Sequence, residues 1–243
     1  MKGLIDIHCH ILPDLDDGAK NMEEALKMLK MSYESGVSTI VATPHFHIGR
    51  VIAEYEKCNS ALEKLKLAIE REKLDIEVLL GSEIYYTNDI LKKVSNNEIH
   101  TLAASKYILL EFSPWDEYGK LLQAVNETYS SGYIPVLAHI ERYACLHDNM
   151  KRVDELYERG ALLQVNAKSV TGDNGRKNQR FIKKLMKNRA ISFIASDGHD
   201  SINRVTSLNK CFQYVSKKYG GDTAEKIFCD NPRYIIENRQ SPM

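Results

Sequence analysis

One local pattern recurs along this chain and constrains its fold more than any other feature. A short run of aliphatic and β-branched residues leads into a histidine, aspartate or glutamate, and a segment with helical spacing of apolar positions follows. The runs cover 4–8, 38–42, 76–80, 107–111, 134–138, 162–165 and 191–195, and runs of this length and composition read as buried strands. Between them, 22–35 puts Ala25, Met28, Leu29 and Ser32 on one face, and 52–72 sets Leu62, Leu65 and Ile69 opposite charged positions. Helical spacing returns at 118–131, 153–159 and the lysine-rich 181–189, and 222–238 reads as two short helices broken at Asn231-Pro232. Gly36, Gly132 and Gly160 fall just past three of these segments, where the left-handed backbone that ends a helix costs glycine least. Alternation without a composition break predicts an α/β class and a single domain over 1–243, either barrel-like or an open doubly wound sheet. A barrel of about 250 residues would use the whole chain.

The polar ends of the strands carry the chemistry. Residues two apart in an extended chain point to the same side, so His8 and His10 can reach one ion. Asp14, Asp16 and Asp17 follow in the next loop. Later strands lead into His45, Glu83, Glu111, His139 and the pair Asp197 and His199. Any single strand ends in something polar, so one such residue means little. Six of seven strands doing so, with a His-x-His among them, predicts a ligand cluster at the C-terminal rim, where barrels build active sites. Nine side chains, His8, His10, Asp17, His45, Glu83, Glu111, His139, Asp197 and His199, exceed the needs of one ion and imply two or three. Imidazole and carboxylate donors without thiolate suit Mn, Fe, Zn or Mg. Clustered divalent ions suit phosphate-ester hydrolysis, because they activate water and offset phosphoryl charge. Arg142 and Arg204, close in sequence to His139 and His199, are candidate phosphate ligands through their fork geometry.

Other chemistries fail on spacing or composition. Lys plus Arg and Asp plus Glu number 33 each, so no global field favours nucleic acid or an anionic membrane, and no basic stripe interleaved with aromatics appears. No apolar run approaches the roughly 20 residues that span a bilayer, and the N-terminus lacks the apolar stretch of a signal peptide. A cytoplasmic protein without membrane insertion is expected. The five cysteines, Cys9, Cys58, Cys145, Cys211 and Cys229, are scattered and show no C-x-x-C pair. A thiolate phosphatase needs Cys-x5-Arg, but the sixth residues on are Leu15, Lys64, Lys151, Lys217 and Ile235. Cys9 is expected to face away from the two histidines around it. A calcium loop opening at Asp14 would need Glu where Ala25 stands. Asp17 is therefore the ligand chosen from that loop, with Asp14 and Asp16 solvated or supporting. His100 and His147 have no partners in the pattern and are expected to be surface or locally bonded, and Tyr85-Tyr86 either lines the mouth or packs the loop.

Taken in order, Asp6-Ile7-His8-Cys9-His10, Asp16-Asp17-Gly18, Ala42-Thr43-Pro44-His45, Gly81-Ser82-Glu83, Leu110-Glu111-Phe112, Ala138-His139-Ile140-Glu141-Arg142-Tyr143 and Ser196-Asp197-Gly198-His199 resemble the PHP (polymerase and histidinol phosphatase) family. More closely, they are similar to its bacterial tyrosine-protein phosphatases of capsule and exopolysaccharide synthesis. The resemblance runs from the first strand to Arg204. It implies a distorted (β/α)7 TIM-like barrel with three divalent ions, manganese before iron, zinc or magnesium. It also implies that His8, His10, Glu83 and Asp197 hold one ion, that Glu83 bridges to a second shared with Glu111 and His139, and that Asp17, His45 and His199 hold a third. Arg142 and Arg204 would bind phosphate, and the substrate would be an autophosphorylated bacterial tyrosine kinase. The pattern departs at Ser82, where glutamine is expected, at Gly198, where alanine is expected, and at His47, which Phe46 separates from His45; His47 is assigned no role. Two other readings remain: a small-molecule phosphatase such as one for histidinol phosphate, and a non-catalytic metal-containing binding module. A full ligand set beside two arginines argues against the module, since a structural site closes with four ligands.

Overall fold

The structure, a computed structural model, describes residues 3–147 and 149–240. Its strands are β1 (Leu4–Cys9), β2 (Val37–Ala42), β3 (His45–His47), β4 (Val51–Ile52), β5 (Glu77–Leu80), β6 (Glu83–Tyr85), β7 (Tyr107–Glu111), β8 (Ile134–Leu137), β9 (Leu162–Asn166) and β10 (Phe193–Ala195). The helices are α1 (Met22–Glu34), α2 (Tyr55–Glu72), α3 (Ile90–Ser95), α4 (Tyr118–Ser130), α5 (Met150–Glu158), α6 (Ala167–Thr171), α7 (Arg176–Lys187), α8 (Asn209–Tyr219), α9 (Gly221–Glu225) and α10 (Asn231–Ile236). Ala25, Met28, Leu29 and Ser32 are the buried face of α1, as their spacing predicts, and Asn21 caps its first turn through the Glu24 amide. Gly36, Gly132 and Gly160 all have positive φ.

Hydrogen bonding orders the strands β1-β2-β5 in one sheet and β10-β9-β8-β7-β6-β3-β4 in another. Every pairing is parallel except the β3–β4 hairpin. The two sheets are parts of one ring. β2 continues into β3 across Thr43-Pro44, and β5 continues into β6 across Gly81-Ser82. The pairing crosses both breaks, because the Gly81 amide donates to the Ala42 carbonyl at 2.8 Å and the Glu83 amide to the Pro44 carbonyl at 3.1 Å. At the other side the Asp197 amide donates to the His8 carbonyl at 2.9 Å and the His10 amide to the Gly198 carbonyl at 2.8 Å. The ring therefore has seven parallel positions in chain order, as the sequence pattern and the family resemblance predict, and the open sheet is set aside.

Ile5, Ile7, Val41, Tyr107, Leu109, Val136, Ala138, Leu162, Phe193 and Ala195 share one buried cluster, drawn from six of the seven ring positions. Glu111 continues the alternation of Tyr107 and Leu109, Asp197 that of Phe193 and Ala195, and Gln164 and Asn166 that of Leu162. An apolar interior thus gives way to a polar rim at the C-terminal strand ends. A second cluster packs the strands against the helices.

Three sequence expectations change. The helix expected from residue 52 starts at Tyr55, because Val51 and Ile52 instead pair with His47 and Phe46 at the free edge of β3. The tail is not broken at Pro232: α9, a π turn at Lys226–Asp230 and α10 run on in succession. Proline sits in the first turn of α10, where its missing N–H costs nothing. The lysine-rich helix begins earlier than expected, at Arg176.

Leu109 is fully buried inside the ring. Leu109→Ala is expected to lower the unfolding free energy by about 2–5 kcal/mol, read from the urea midpoint. A change below about 1 kcal/mol would show that the interior is not packed as described.

Candidate active site

The rim gathers the nine predicted side chains. His8 and His10 lie at the end of β1, His45 opens β3, Glu83 opens β6 and Glu111 closes β7. His139, Asp197 and His199 follow β8 and β10, and Asp17 comes from the loop after β1. His139 and Asp197 both have left-handed backbone, with φ of 31° and 51°. Non-glycine residues held there store strain, which persists when surrounding contacts fix it; here the His139 amide donates to Gln164 Oε1 at 2.7 Å, and the Asp197 amide joins β1. Gly18 completes the Asp16-Asp17 turn, and a Cβ at that position would lie 2.2 Å from the His10 carbonyl oxygen.

Hydrogen bonds away from the centre fix which nitrogen of His8, His10 and His199 faces it. Gln164 Oε1 already accepts the His139 amide, so its amide orientation is set, and His8 Nδ1, 3.3 Å away, must carry the proton. Asp16 Oδ2 lies 2.7 Å from His10 Nδ1, and the Asp197 carbonyl 3.0 Å from His199 Nδ1. In the neutral tautomers all three rings therefore turn an Nε2 lone pair inward. His8 Nε2 and His10 Nε2 face one another at 3.3 Å. Glu83 Oε2 is 3.2 Å from each of them and 3.0 Å from His45 Nδ1, yet it makes no hydrogen bond, and neither does His199 Nε2. Acceptors converging on one another without hydrogens between them fit a cation.

The donors fall into three groups, each with its ligand atoms within 4.8 Å of one another: His8, His10, Glu83 and Asp197; His10, Asp17, His45 and His199; and His45, Glu83 and Glu111. Shared members make this one continuous cluster. The partition differs from the expected one in placing His45 with Glu83 and Glu111. His139 stands beside that group, with Nε2 2.8 Å from Glu83 Oε1 and 3.6 Å from Glu111 Oε1. Asp17 is the most exposed member, but its Oδ1 reaches His199 at 3.3 Å and His45 at 3.4 Å. Nitrogen and carboxylate donors of this kind suit divalent first-row metals or magnesium.

The electrostatics follow from crowding in a dry site. Burial alone would raise the Glu83 carboxyl, but without a bound cation the rings of His8, His10 and His45 hold protons, and they and the His139 N–H keep Glu83 well below the ordinary range. Burial opposes ionisation of Asp197 as well, and His8 and Arg142 overcome it. Burial and the neighbouring Glu83 push Glu111 up to about 7. Burial and Arg142 push His139 down to about 4, which keeps it neutral. Such opposed shifts among neighbours mark functional sites. Arg142 NH2 and Arg204 NH2 lie 2.5 and 2.8 Å from the two Asp197 oxygens, so both guanidinium groups stand at the cluster.

The sequence pattern missed the residues that aim the ligands. Gln164 and Asn166 sit on the one strand that seemed to bring nothing; Gln164 Nε2 donates to Asn166 Oδ1, and Asn166 Nδ2 donates to Asp197 Oδ2 at 2.6 Å. Two buried amides alternating along an apolar strand were the available signal. Asp16 also accepts from the His45 and Gly18 amides, which makes it a supporting residue, and Asp6 accepts from the Ser196 amide. Tyr86 packs in the core with its hydroxyl on Glu127, and His147 Nε2 donates locally to the Glu141 carbonyl.

A barrel rim with a shared imidazole and carboxylate cluster and two guanidinium groups defines the class of metal-dependent hydrolases. Residues 4–237 match the family described as capsular polysaccharide synthesis, CpsB/CapC, and the chain belongs to that family. The tyrosine-protein phosphatase CpsB of Streptococcus pneumoniae is 37% identical over 239 residues, which is 96% of this chain and 98% of the relative. The solved structure of YwqE from Bacillus subtilis and CpsB from S. pneumoniae, metal-dependent tyrosine phosphatases, superposes with a TM-score of 0.92 at 30% identity, over 98% of this chain and 96% of that one. Histidinol phosphate phosphatase from Lactococcus lactis shares the fold, with a TM-score of 0.55 at 12% identity over 89% of this chain and 93% of that one.

Gln164→Leu removes the group that sets the His8 tautomer. Divalent-metal affinity is expected to fall by about 10–100-fold, as for other outer partners of ligating histidines. Metal titration followed by calorimetry checks it, and unchanged affinity would remove Gln164 from the site.

Proposed function

We propose that this chain is a metal-dependent protein-tyrosine phosphatase, acting as one domain over 1–243 in the cytoplasm, on a phosphorylated tyrosine kinase of capsule or exopolysaccharide synthesis. What carries the reading is the convergence, in a member of the CpsB/CapC family, of nine ligand-type side chains and two arginines on one rim. His8, His10, Glu83 and Asp197 would hold one ion, Glu83, Glu111 and His139 a second, and Asp17, His45 and His199 a third, with His45 within reach of the second as well. Manganese is the first choice of metal. Ions held there supply Lewis acidity and an activated water.

The chain's own part is binding and orientation. Arg142 and Arg204 keep 34% and 38% of their side chains exposed, so N–H donors remain for phosphoryl oxygens beyond those engaged by Asp197. Donors fixed beside the place where charge spreads in the transition state cost no reorganisation during reaction. Asp16, Gln164 and the Asp197 carbonyl keep three imidazoles in the ligating tautomer. The leaving phenolate, from a group with a pKa of about 10, departs without an obligatory proton donor. Among the described residues no helix is long and apolar enough to cross a membrane.

Protein reconstituted with Mn2+ is expected to hydrolyse a phosphotyrosyl peptide in preference to histidinol phosphate and a single-stranded oligonucleotide, and to lose turnover on chelation. Preference for histidinol phosphate would install the small-molecule reading. Absence of turnover on all three would leave a binding module. His10→Ala, which removes a member shared by two donor groups, is expected to lose bound metal and at least about two orders of magnitude in rate. Full activity in that variant would remove the cluster from the mechanism.

A further inference from the structure

The rung above the metal donors is aromatic. β3 and β6 pair in parallel with His45 opposite Glu83 and Phe46 opposite Ile84. The next positions, His47 and Tyr85, therefore lie side by side and on the same face as the two donors below them, by the two-residue alternation of a strand. Their rings are parallel within 1°, with centroids 4.0 Å apart. Lys120 Nζ lies 5.0 Å from the Tyr85 centroid and bonds Asp116 Oδ2 at 2.8 Å, and the Tyr85 hydroxyl reaches the same oxygen at 3.5 Å. The Tyr85 ring is thus held at its tip and over its face. It is not needed by the core: it is half-buried, whereas its neighbour Tyr86 does the packing.

This pair walls a cavity of about 270 Å³, together with Arg50, Glu111, Phe112 and Pro114. Glu111 also belongs to the donor group of His45 and Glu83, so the cavity opens directly onto the cluster. A second cavity, of about 330 Å³, flanks the cluster on the side of Asp197 and is lined by Arg142, Asn166, Lys168, Asn203 and Arg204 among other polar groups. One side of the cluster presents a stacked pair of rings among polar groups, and the other is lined by cations, amides, hydroxyls and Asp197 without an aromatic ring.

We infer that His47 and Tyr85 form the subsite for the aromatic ring of an aryl phosphate monoester, and that they, rather than the phosphoryl-binding groups, give the site its preference for aryl over alkyl esters. The inference rests on the phosphatase reading for its biological sense, but its test does not. An aromatic ring laid against a preformed stack gains the offset or edge contact that aromatic pairs favour, in addition to the area it buries.

Phenylphosphonate and methylphosphonate, which carry the same head group and cannot turn over, are titrated into the Mn2+-loaded protein by calorimetry. The wild type is expected to bind phenylphosphonate about ten-fold more tightly. His47→Ala with Tyr85→Ala is expected to bind the two alike, at unchanged metal content, and His47→Phe with Tyr85→Phe to restore the preference. Equal affinity of the wild type for both ligands would overturn the subsite without any variant having to fold. So would a preference that survives the double alanine change. Failure of the wild type to hydrolyse a phosphotyrosyl peptide, with the phenyl preference intact, would sink the phosphatase reading and leave the aryl subsite standing.

Discussion

Glu83 and Asp197 are ionised carboxylates taken almost wholly out of water and set a few ångströms apart. Removing such groups from solvent is expensive unless positive charge and hydrogen bonds surround them. Most of the rim's architecture answers that constraint. Two guanidinium groups meet Asp197, whereas around Glu83 the tautomers fixed by Asp16, Gln164 and the Asp197 carbonyl turn lone pairs, not protons, toward the centre, so that a bound cation is the positive charge that fits there. A hydrogen-bonded core would be arranged the other way, with a proton between each pair of acceptors. The excess of acceptors is what makes the centre a place for cations. The same excess ties metal binding to the local order of the strand ends, since most of the ligands stand at or just past them around the ring.

Strand geometry supplies the precision. The ring needs Pro44 and the Gly81-Ser82 pair, which interrupt β2 and β5 but let both resume one rung higher as β3 and β6. That extension lifts His45 and Glu83 above the apolar interior, then His47 and Tyr85 above them. Elsewhere backbone strain contributes: left-handed His139 turns inward a side chain that a plain strand, with Ala138 already facing the interior, would send outward, and left-handed Asp197 ends β10 while keeping the inward side of Phe193 and Ala195. The strain is tolerated because both amides are engaged, one by Gln164 and one by β1.

The sequence made the strands legible because buried parallel strands are short, apolar and regularly spaced, but their spacing allowed an open sheet as well as a ring, which only the family resemblance implied; the ligands were legible because strand ends in a barrel share one face. His8 and His10 followed from alternation alone. Which ion each donor serves did not follow, because His45 offers two nitrogens to two groups, a matter of ring orientation and not of spacing. Gln164 and Asn166 were invisible as functional residues because an amide inside a strand looks like a tolerated polar residue until its partners are known. β3, β4 and β6 were missed for a simpler reason: two or three residues carry no period. The tail runs on through Pro232 because a proline in a first turn starts a helix as readily as one elsewhere ends it, and sequence alone does not tell the two apart.

Cys9 shows why the chemistry belongs to the imidazoles and carboxylates on either side of it. It lies between two ligand histidines, but alternation turns its sulfur into the packed layer behind β1, where it donates to the Gly198 carbonyl at 3.7 Å. Burial, with Asp6 nearby, raises its thiol well above the ordinary value. A nucleophilic cysteine needs the reverse, an exposed position and positive surroundings that favour the thiolate. The cations that would provide those surroundings, Arg142 and Arg204, instead meet Asp197 on the opposite face of the strand ends. A covalent thiophosphate route would therefore have to turn β1 over, and a one-residue slip of that strand would carry His8 and His10 into the core. The fold that makes the metal cluster thus forbids the cysteine mechanism by the same alternation.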